Sequence, residues 1–417
     1  MAKLSVLLVC LICLLRPLAM AQDAPRYKVD PFWPKELPNN WILGQIRGVA
    51  IDNDDHIWVL NEGVPLDNAA AAQKPPRAQC CIPAPSVIEF DSDGNVLRSW
   101  GGPGYVPGWP TTPHGIYLDK KGSVWIGGVG SPWNFDPGRA KPTDAQLWDR
   151  QVLKFSIDGK LLMQIGHPSN APVNNQDTTL LGAPSAITVE DATDEVYIAD
   201  GFLNRRVVVY DSNTGAFKRG WGAYGISLTE VDNSNLSVFP SGRDSLSSTS
   251  KQFKGITDIT ISDDGLLYVT DQINDRIQVF TKQGRFVKEF LIAPKVLGYE
   301  SAWGIALSHD SRQRYLFVTD GASGVIRVLD RRGGKEVDKI GHKGRNPGQF
   351  SNLGWAILDS QGAMYTGEVH FTRSWDGIIA IQTGITDTSG GRIQKFMLQR
   401  DRGVPAARPP DSQFRSP

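Results

Sequence analysis

Apolar and polar residues alternate along most of the chain, in short runs that end at aspartate, glutamate or glycine. The run Gly115–Asp119 (GIYLD) is followed after a tight turn by Ser123–Gly127 (SVWIG), and pairs of this kind recur along the chain. A period of two is typical of β-strands with one buried face, whereas an amphipathic helix has a period of about 3.6 residues. The pattern therefore predicts an all-β fold.

The paired runs are parts of a longer repeat. Each copy continues into an outer hairpin, which gives four short strands per copy, and such a unit is typical of a propeller blade. The last copy offers only three strands, up to Phe396, so we expect Tyr27–Asp30 to supply the fourth and close the ring. The sequence thus predicts a six-bladed β-propeller over residues 22–402. The six copies begin at Gly48, Gly115, Ala186, Asp258, Gly304 and Trp355.

One stretch of the fourth copy indicates the kind of propeller. Residues Asp271–Phe280 read Asp-x-x-Asn-x-Arg-Ile-Gln-Val-Phe, which resembles an NHL repeat. From Tyr27 to Phe396 the chain is similar to six-bladed NHL propellers of the peptidyl-α-hydroxyglycine α-amidating lyase (peptidylamidoglycolate lyase) type. This resemblance implies a carbon–nitrogen lyase in which histidines hold zinc and an acidic residue binds calcium. It also implies that a tyrosine and two arginines handle the proton and the substrate.

Most residues that the resemblance assigns to this chemistry are replaced. Of seven expected positions only the first histidine, His114, is kept, and one neutral imidazole cannot hold zinc with useful affinity. We therefore expect no cofactor, with zinc or calcium as alternatives whose ligands are largely missing. The other positions hold Thr257 and Gly354 for histidines, Phe202 for the tyrosine, Glu62 and Gln272 for the arginines, and Trp355 for the calcium ligand.

One face of the predicted propeller collects the candidate site. The first two strands of a blade are antiparallel, so the start of the innermost strand and the end of the second lie on the same face. Long loops at 63–83, 130–150 and 371–391 leave this face from neighbouring blades, and we expect them to form a lid. The residues expected around the funnel below are Arg47, Ser185, Phe202, Thr257, Gln272, Trp303 and His370 as ligand-binding residues, with His114 and Glu62 as catalytic candidates.

Two classes of function fit this picture. The first hypothesis is an exported, lyase-like propeller with a degenerate zinc site, which binds a small molecule with an apolar body and a polar end in a lidded axial funnel. Under it, replacing Glu62 or His114 weakens binding and leaves thermal stability nearly unchanged. The alternative is a divergent propeller enzyme, a lyase or hydrolase that uses His114 with Glu62 and His370, or a true peptidylamidoglycolate lyase-like enzyme. In a rebuilt metal site, His114 and His370 would be the ligands, together with the carboxylates of Glu62 and Glu368.

The first 21 residues have the pattern of a secretory signal peptide. Lys3 precedes the apolar run Leu4–Leu15, and Ala19-Met20-Ala21 is a small-x-small cleavage pattern. We expect cleavage after Ala21 and a periplasmic or secreted monomer without stable membrane insertion; an uncleaved anchor is the alternative. The 44 basic and 44 acidic residues balance, which leaves no electrostatic case for nucleic acid. We expect the Pro/Ala/Arg-rich tail, 403–417, to be disordered.

Cysteine usage is unusual for an exported chain. Loss of the signal peptide removes two of the four cysteines and leaves the adjacent pair Cys80 and Cys81. Because an exported compartment is oxidising, we expect these two to form a vicinal disulfide. Pairing with a second chain and two reduced thiols are the alternatives.

Overall fold

The computed structural model describes residues 24–62, 82–130, 147–233, 250–296, 301–369 and 391–399. Several predicted features lie outside these ranges: the signal peptide, the tail 403–417, the Cys80–Cys81 pair, His370 and most of the three long loops. Within the described ranges no helix is long and apolar enough to cross a membrane.

Six four-stranded antiparallel sheets make up the fold, as the repeat predicts. The innermost strands of successive blades contact one another around the ring, and that of the last blade contacts that of the first, so the ring is closed. Blade 1 consists of β3 (Gln45–Ile51), β4 (Ile57–Glu62), β6 (Val87–Phe90) and β7 (Val96–Trp100). Blade 2 consists of β8 (Pro113–Leu118), β9 (Ser123–Gly128), β10 (Gln151–Ser156) and β11 (Leu161–Gly166). Blade 3 consists of β12 (Ala186–Glu190), β13 (Glu195–Asp200), β14 (Arg206–Asp211) and β15 (Phe217–Trp221).

The second half of the ring is built in the same way. Blades 4 and 5 consist of β16 (Ile259–Ile261), β17 (Leu266–Asp271), β18 (Arg276–Thr281) and β19 (Phe286–Leu291), then β20 (Ile305–Leu307), β21 (Tyr315–Asp320), β22 (Val325–Asp330) and β23 (Glu336–Ile340). Blade 6 consists of β24 (Leu353–Leu358), β25 (Met364–Glu368), β26 (Ile393–Gln399) and the N-terminal strand β1 (Arg26–Asp30).

The N-terminal strand closes the ring as predicted. Strand β1 is antiparallel to β26, in a register that runs from Arg26 opposite Gln399 to Asp30 opposite Lys395. Both ends of the folded region thus share one sheet, which ties the first blade to the last. Outside the blades, β2 (Trp41–Ile42) pairs in parallel with β5 (Ile82–Pro83), and short 3-10 helices span Pro38–Asn40, Ala223–Gly225 and Gln272–Asn274.

The core lies between the blades. Large apolar side chains of facing sheets interdigitate, as with Tyr197 and Trp221 of blade 3 against Phe280 of blade 4. Complete burial of a side chain of this size stabilises the fold by about 1.5–3 kcal/mol. The alternation in the sequence therefore places one apolar face of each strand against the next blade.

Buried aspartate–arginine pairs fix the ends of the second strands. In blade 4, Arg276 Nε donates to Asp271 Oδ2 at 2.8 Å, and the Asn274 amide donates to the same oxygen at 2.7 Å. Blade 3 repeats the pair with Arg206 and Asp200 at 2.8 Å. The sequence pattern Asp-x-x-Asn-x-Arg predicts this structural role, and the hydrogen bonds confirm it. We call these buried pairs the locks.

Blade 6 has a lock of its own, and it uses a glutamate. Arg392 Nε donates to Glu368 Oε1 at 2.6 Å, and the backbone N–H of Ser351 donates to Glu368 Oε2 at 2.7 Å. The sequence also offers Glu368, beside His370, as a ligand for a rebuilt metal site. Because both of its carboxylate oxygens are engaged within the blade, Glu368 is a structural residue.

Candidate functional site

Three neighbouring blades carry an irregular residue on the face where their innermost strands begin, which we call the top face. The pairing of β3 with β4 shifts at Arg47, that of β8 with β9 at Gly115, and that of β24 with β25 at Gly354. Such β-bulges bend a strand and re-aim the adjacent side chains. The same pairing in blades 3, 4 and 5 has no shift. The bulges therefore mark blades 6, 1 and 2, the blades from which the predicted lid loops emerge.

The bulge in blade 2 positions His114. Gly115 has φ +72°, and a Cβ there would lie 2.6 Å from the carbonyl oxygen of Ser185, so glycine allows blade 3 to approach closely. His114 Nδ1 lies 2.7 Å from the same oxygen. Because a carbonyl oxygen only accepts hydrogen bonds, Nδ1 carries the proton and Nε2 is left as an acceptor.

The surroundings keep the imidazole of His114 uncharged. Burial is the main cause, and the positive charge of Arg47 adds to it; together they lower the pKa of His114 to about 3. The ring is thus neutral at physiological pH and a weak base. Its Nε2 can accept a hydrogen bond, but it is poorly suited to remove a proton from a substrate.

Aromatic side chains surround the imidazole. Phe202 contacts it edge to face at 5.3 Å between ring centroids, and Trp355 contacts it at 5.4 Å. Trp303 lies 6.2 Å from Trp355, also edge to face. These four rings come from blades 3, 2, 6 and 5, and we call them the aromatic floor. Of the predicted ligand-binding residues, Phe202 thus contacts His114 directly, whereas Trp303 reaches it only through Trp355.

The polar side of the floor is an ion pair in blade 1. Arg47 Nε donates to Glu62 Oε2 at 2.6 Å, and Arg47 Nη2 contacts the same oxygen. The Arg47 side chain is only 1% exposed, whereas that of Glu62 is 29% exposed. The cation is therefore enclosed and the carboxylate reaches solvent, so Glu62 is the member of the pair that a ligand can contact.

Three predicted ligand-binding residues have other partners. Ser185 Oγ donates to the Ile256 carbonyl at 2.6 Å, and Thr257 Oγ1 donates to the Trp303 carbonyl at 2.7 Å. Both hydroxyls therefore tie one blade to the next. Gln272 is buried at the start of its 3-10 helix, where its backbone N–H donates to the Gly255 carbonyl. None of these three side chains is shown next to His114.

The aromatic floor does not fit the zinc site that the resemblance implies. Thr257 uses its hydroxyl between blades, and Gly354 has no side chain. A Cβ at Gly354 would lie 2.8 Å from Val369 and 3.5 Å from Trp303 Nε1, so a histidine has no room there. Zinc needs about three protein ligands. Among the described residues of the top face, no three potential ligands lie close together, and we derive no chemistry through zinc.

The structure adds one residue that the sequence reasoning missed. Asp258 directly follows Thr257 in blade 4, and its carboxylate accepts from the backbone N–H groups of Ile259 and Ile305 at 2.8 Å. The protein around it raises the pKa of Asp258 to about 7, mainly by desolvation. The repeat could have pointed to Asp258, because each of the other five copies begins with glycine, alanine or tryptophan and not with an acid.

Comparisons with known proteins agree with the motif. Peptidyl-glycine alpha-amidating monooxygenase B of Xenopus laevis is 28% identical over 272 residues, 62% of this chain and 25% of that protein. NHL repeat-containing protein 3 of Homo sapiens is 24% identical over 310 residues, 73% of this chain and 67% of that protein. The chain resembles NHL-repeat and peptide-amidating proteins. The resemblance predicted from the sequence is thereby confirmed.

These similarities have clear limits. The chain spans about a quarter of the length of the amidating relatives that it matches. No family model matches it. A streptogramin B lyase structure superposes with a TM-score of 0.46 at 12% identity, covering 89% of this chain and 98% of that one.

Proposed function

We propose that this protein binds a small molecule with an apolar body and a hydrogen-bond-donating polar end at the aromatic floor. The observation that carries the proposal is the fixed tautomer of His114, whose Nδ1 is committed to Ser185 and whose Nε2 can only accept. Glu62, the accessible member of its ion pair, is also an acceptor. Both polar groups therefore select a donor, such as a hydroxyl, an amide N–H or an ammonium group.

The rest of the floor suits the apolar body of the ligand. The partly exposed Phe202 and the buried Trp355 and Trp303 behind it make the surroundings of His114 aromatic. Small-molecule sites are typically apolar surfaces with a few converging polar groups. Since the leader predicts export, the ligand would be met outside the cytoplasm.

A divergent enzyme is the second candidate function. His114 argues against it, because an imidazole with a pKa of about 3 is a weak general base at neutral pH. Asp258 argues for it, because a carboxyl group with a pKa of about 7 can exchange a proton near neutrality. The binding function is preferred because it uses the residues that the structure brings together.

A pair of neutral probes tests the binding proposal. N,N-dimethyl-4-(hydroxymethyl)benzamide has an aromatic body and a terminal hydroxyl as its single hydrogen-bond donor, whereas N,N-dimethyl-4-(methoxymethyl)benzamide has no donor. We expect calorimetry and tryptophan fluorescence to show saturable binding of the first probe, and binding of the second to be about tenfold weaker, the loss of one good hydrogen bond. His114→Phe keeps a ring in the floor and removes the acceptor, so it should abolish the difference between the probes.

Catalysis is tested separately with N-benzoyl-α-hydroxyglycine, by following release of glyoxylate. We expect release at the spontaneous rate, with or without added zinc. Zinc-dependent release that is lost in His114→Phe would contradict the proposal and support the lyase alternative. Equal affinity for the two benzamides, or no saturable binding up to millimolar concentration, would contradict the proposed ligand class.

A further inference from the structure

A second cluster of polar side chains lies in blade 1, at the opposite end of β3 and β4. The turn between these strands carries Asp52 and His56, and β6 places Glu89 beside them, opposite Trp58. His56 Nδ1 lies 3.0 Å from Glu89 Oε1 and 3.4 Å from Asp52 Oδ2. One ligand atom from each of the three residues lies within 4.8 Å of the others. Among the described residues, this is the one group of three potential metal ligands that lies so close together.

Blade 2 has the same turn without the cluster. Asp119 accepts a hydrogen bond from Trp125 Nε1 at 2.9 Å, as Asp52 does from Trp58 at 3.0 Å. Opposite Trp125, however, the third strand carries Lys154, whose Nζ lies 3.9 Å from Asp119 Oδ2. Blade 2 thus balances its aspartate with a cation.

Blade 1 carries an acidic residue where blade 2 has Lys154, so no lysine balances its aspartate there. In blade 6, Tyr365 donates to Asp359 as Trp125 does to Asp119, and Lys395 lies opposite Tyr365 and over its ring. The residue opposite the aromatic ring is therefore a lysine in two blades. In blade 1 the position is Glu89, which places a second carboxylate next to Asp52. The turn itself does not require this arrangement, because blades 2 and 6 build it with a lysine.

Glu89 is incompletely partnered for a buried carboxylate. Its side chain is 4% exposed, and Oε2 accepts no hydrogen bond within the described part of the chain. Arg98 Nε lies 3.5 Å from Oε2, so it offers charge without a hydrogen bond, and its own side chain is 36% exposed. A buried anion of this kind is stabilised by a closely bound cation.

We propose that Asp52, His56 and Glu89 bind a divalent transition-metal ion, with zinc as the best match. The ligand atoms are Asp52 Oδ2, His56 Nδ1 and Glu89 Oε1, whose separations of 3.0 and 3.4 Å match the edge of about 3.3 Å in a tetrahedron with metal–ligand bonds of about 2.0–2.1 Å. The His56 side chain is 31% exposed, so an ion enters from solvent and a water completes the coordination.

The neighbouring residues already provide an outer shell for such an ion. Asp52 is oriented by the Trp58 indole N–H and by the backbone N–H groups of Asp54 and His56. Arg98 faces the Glu89 oxygen that the ion would not use. Groups of this kind orient metal ligands in known sites. The ion would take a position between His56 Nδ1 and Glu89 Oε1, so it replaces the present contact between these two residues.

The test measures zinc binding to untagged, chelator-treated full-length protein by calorimetry. Cobalt is the second probe, because its visible absorption reports the ligands and their geometry. We expect one zinc ion per chain, and a loss of affinity of about 100-fold or more in His56→Gln and in Glu89→Lys, since each removes one of three ligands. Glu89→Lys copies the arrangement of blade 2 and is expected to fold.

Two control variants separate this site from the rest of the protein. His167→Gln, on an exposed connection, and His114→Phe, in the aromatic floor, should each bind zinc like the unchanged protein. Absence of zinc binding at micromolar to millimolar concentration would overturn the proposal. So would zinc binding that survives in His56→Gln and Glu89→Lys. Because the aromatic floor is on the other face, the benzamide experiments can fail or succeed without changing this outcome.

Discussion

The locks and the aromatic floor use the same chemistry in opposite ways. In the lock of blade 4, Arg276 and Asp271 are both fully buried, and Arg276 also donates to the Tyr224 hydroxyl and the Gln252 carbonyl. In the floor, Arg47 is equally buried but its partner Glu62 is 29% exposed. In the locks of blades 3 and 4 both side chains are 0% exposed, so these are closed ion pairs with nothing left to offer a ligand. The floor keeps an acceptor accessible to solvent, which is what a binding site requires.

The largest expected effect comes from opening a lock. Asp271→Ala leaves the Arg276 cation buried without its carboxylate, and removing one partner of a buried ion pair costs about 3–5 kcal/mol in the free energy of unfolding. Urea denaturation followed by circular dichroism measures this loss. Asp263→Ala, on the exposed turn of the same blade, is the control and should change stability by less than about 0.5 kcal/mol. A loss below about 1 kcal/mol for Asp271→Ala would contradict the structural role of the locks.

The second effect is a pH dependence that arises from His114. Its pKa is about 3 in the folded protein against 6.5 as the ordinary value, so the unfolded chain binds more protons between these values. Stability is therefore highest above pH 6.5 and falls as the pH drops toward 3. Between pH 7 and pH 4 the contribution of this group falls by about 3 kcal/mol. Urea titrations of the unchanged protein and of His114→Gln should differ by about this amount. Parallel curves would show that His114 is not buried in this way.

These two effects show what the sequence could and could not predict. Period-two alternation and the spacing of Asp, Asn and Arg depend on local geometry, so they predicted the blades and the locks of blades 3 and 4. The ring closure was predicted in another way, because the last copy lacks a fourth strand. The partners of Ser185 and Thr257 could not be read in this way, because each hydroxyl bonds to a neighbouring blade. The cluster of Asp52, His56 and Glu89 depends on a contact between separate strands. Only a comparison of equivalent positions among the blades could have indicated it.

A smaller loss is expected when the ion pair of the floor is opened. The sequence predicts that replacing Glu62 leaves stability nearly unchanged. The structure revises this expectation, because Glu62→Gln removes the carboxylate that contacts the buried Arg47 in blade 1. Glu62 is partly exposed and solvent screens the pair, so we expect a loss of about 1–2 kcal/mol, below that of Asp271→Ala. The double variant Arg47→Met with Glu62→Gln should recover part of this loss. A loss equal to that of Asp271→Ala would mean that the floor is as closed as a lock.

The smallest effect concerns Asp258, a carboxyl group that accepts from two backbone N–H groups and forms no ion pair within the described part of the chain. Its pKa is about 7 in the folded protein against an ordinary 3.8, so between these values the folded state binds more protons than the unfolded chain. The sign is opposite to that of His114: stability falls as the pH rises through 7.

From pH 6 to pH 8 the unchanged protein should lose about 1.4 kcal/mol more than Asp258→Asn, which has no proton to release. Urea titrations at the two pH values measure this difference. If the two proteins respond alike, Asp258 does not exchange a proton between pH 6 and pH 8, and the observation that favours a divergent enzyme is removed. If they differ as expected, the innermost strands hold a group that exchanges protons at neutral pH, unlike the closed pairs of the locks.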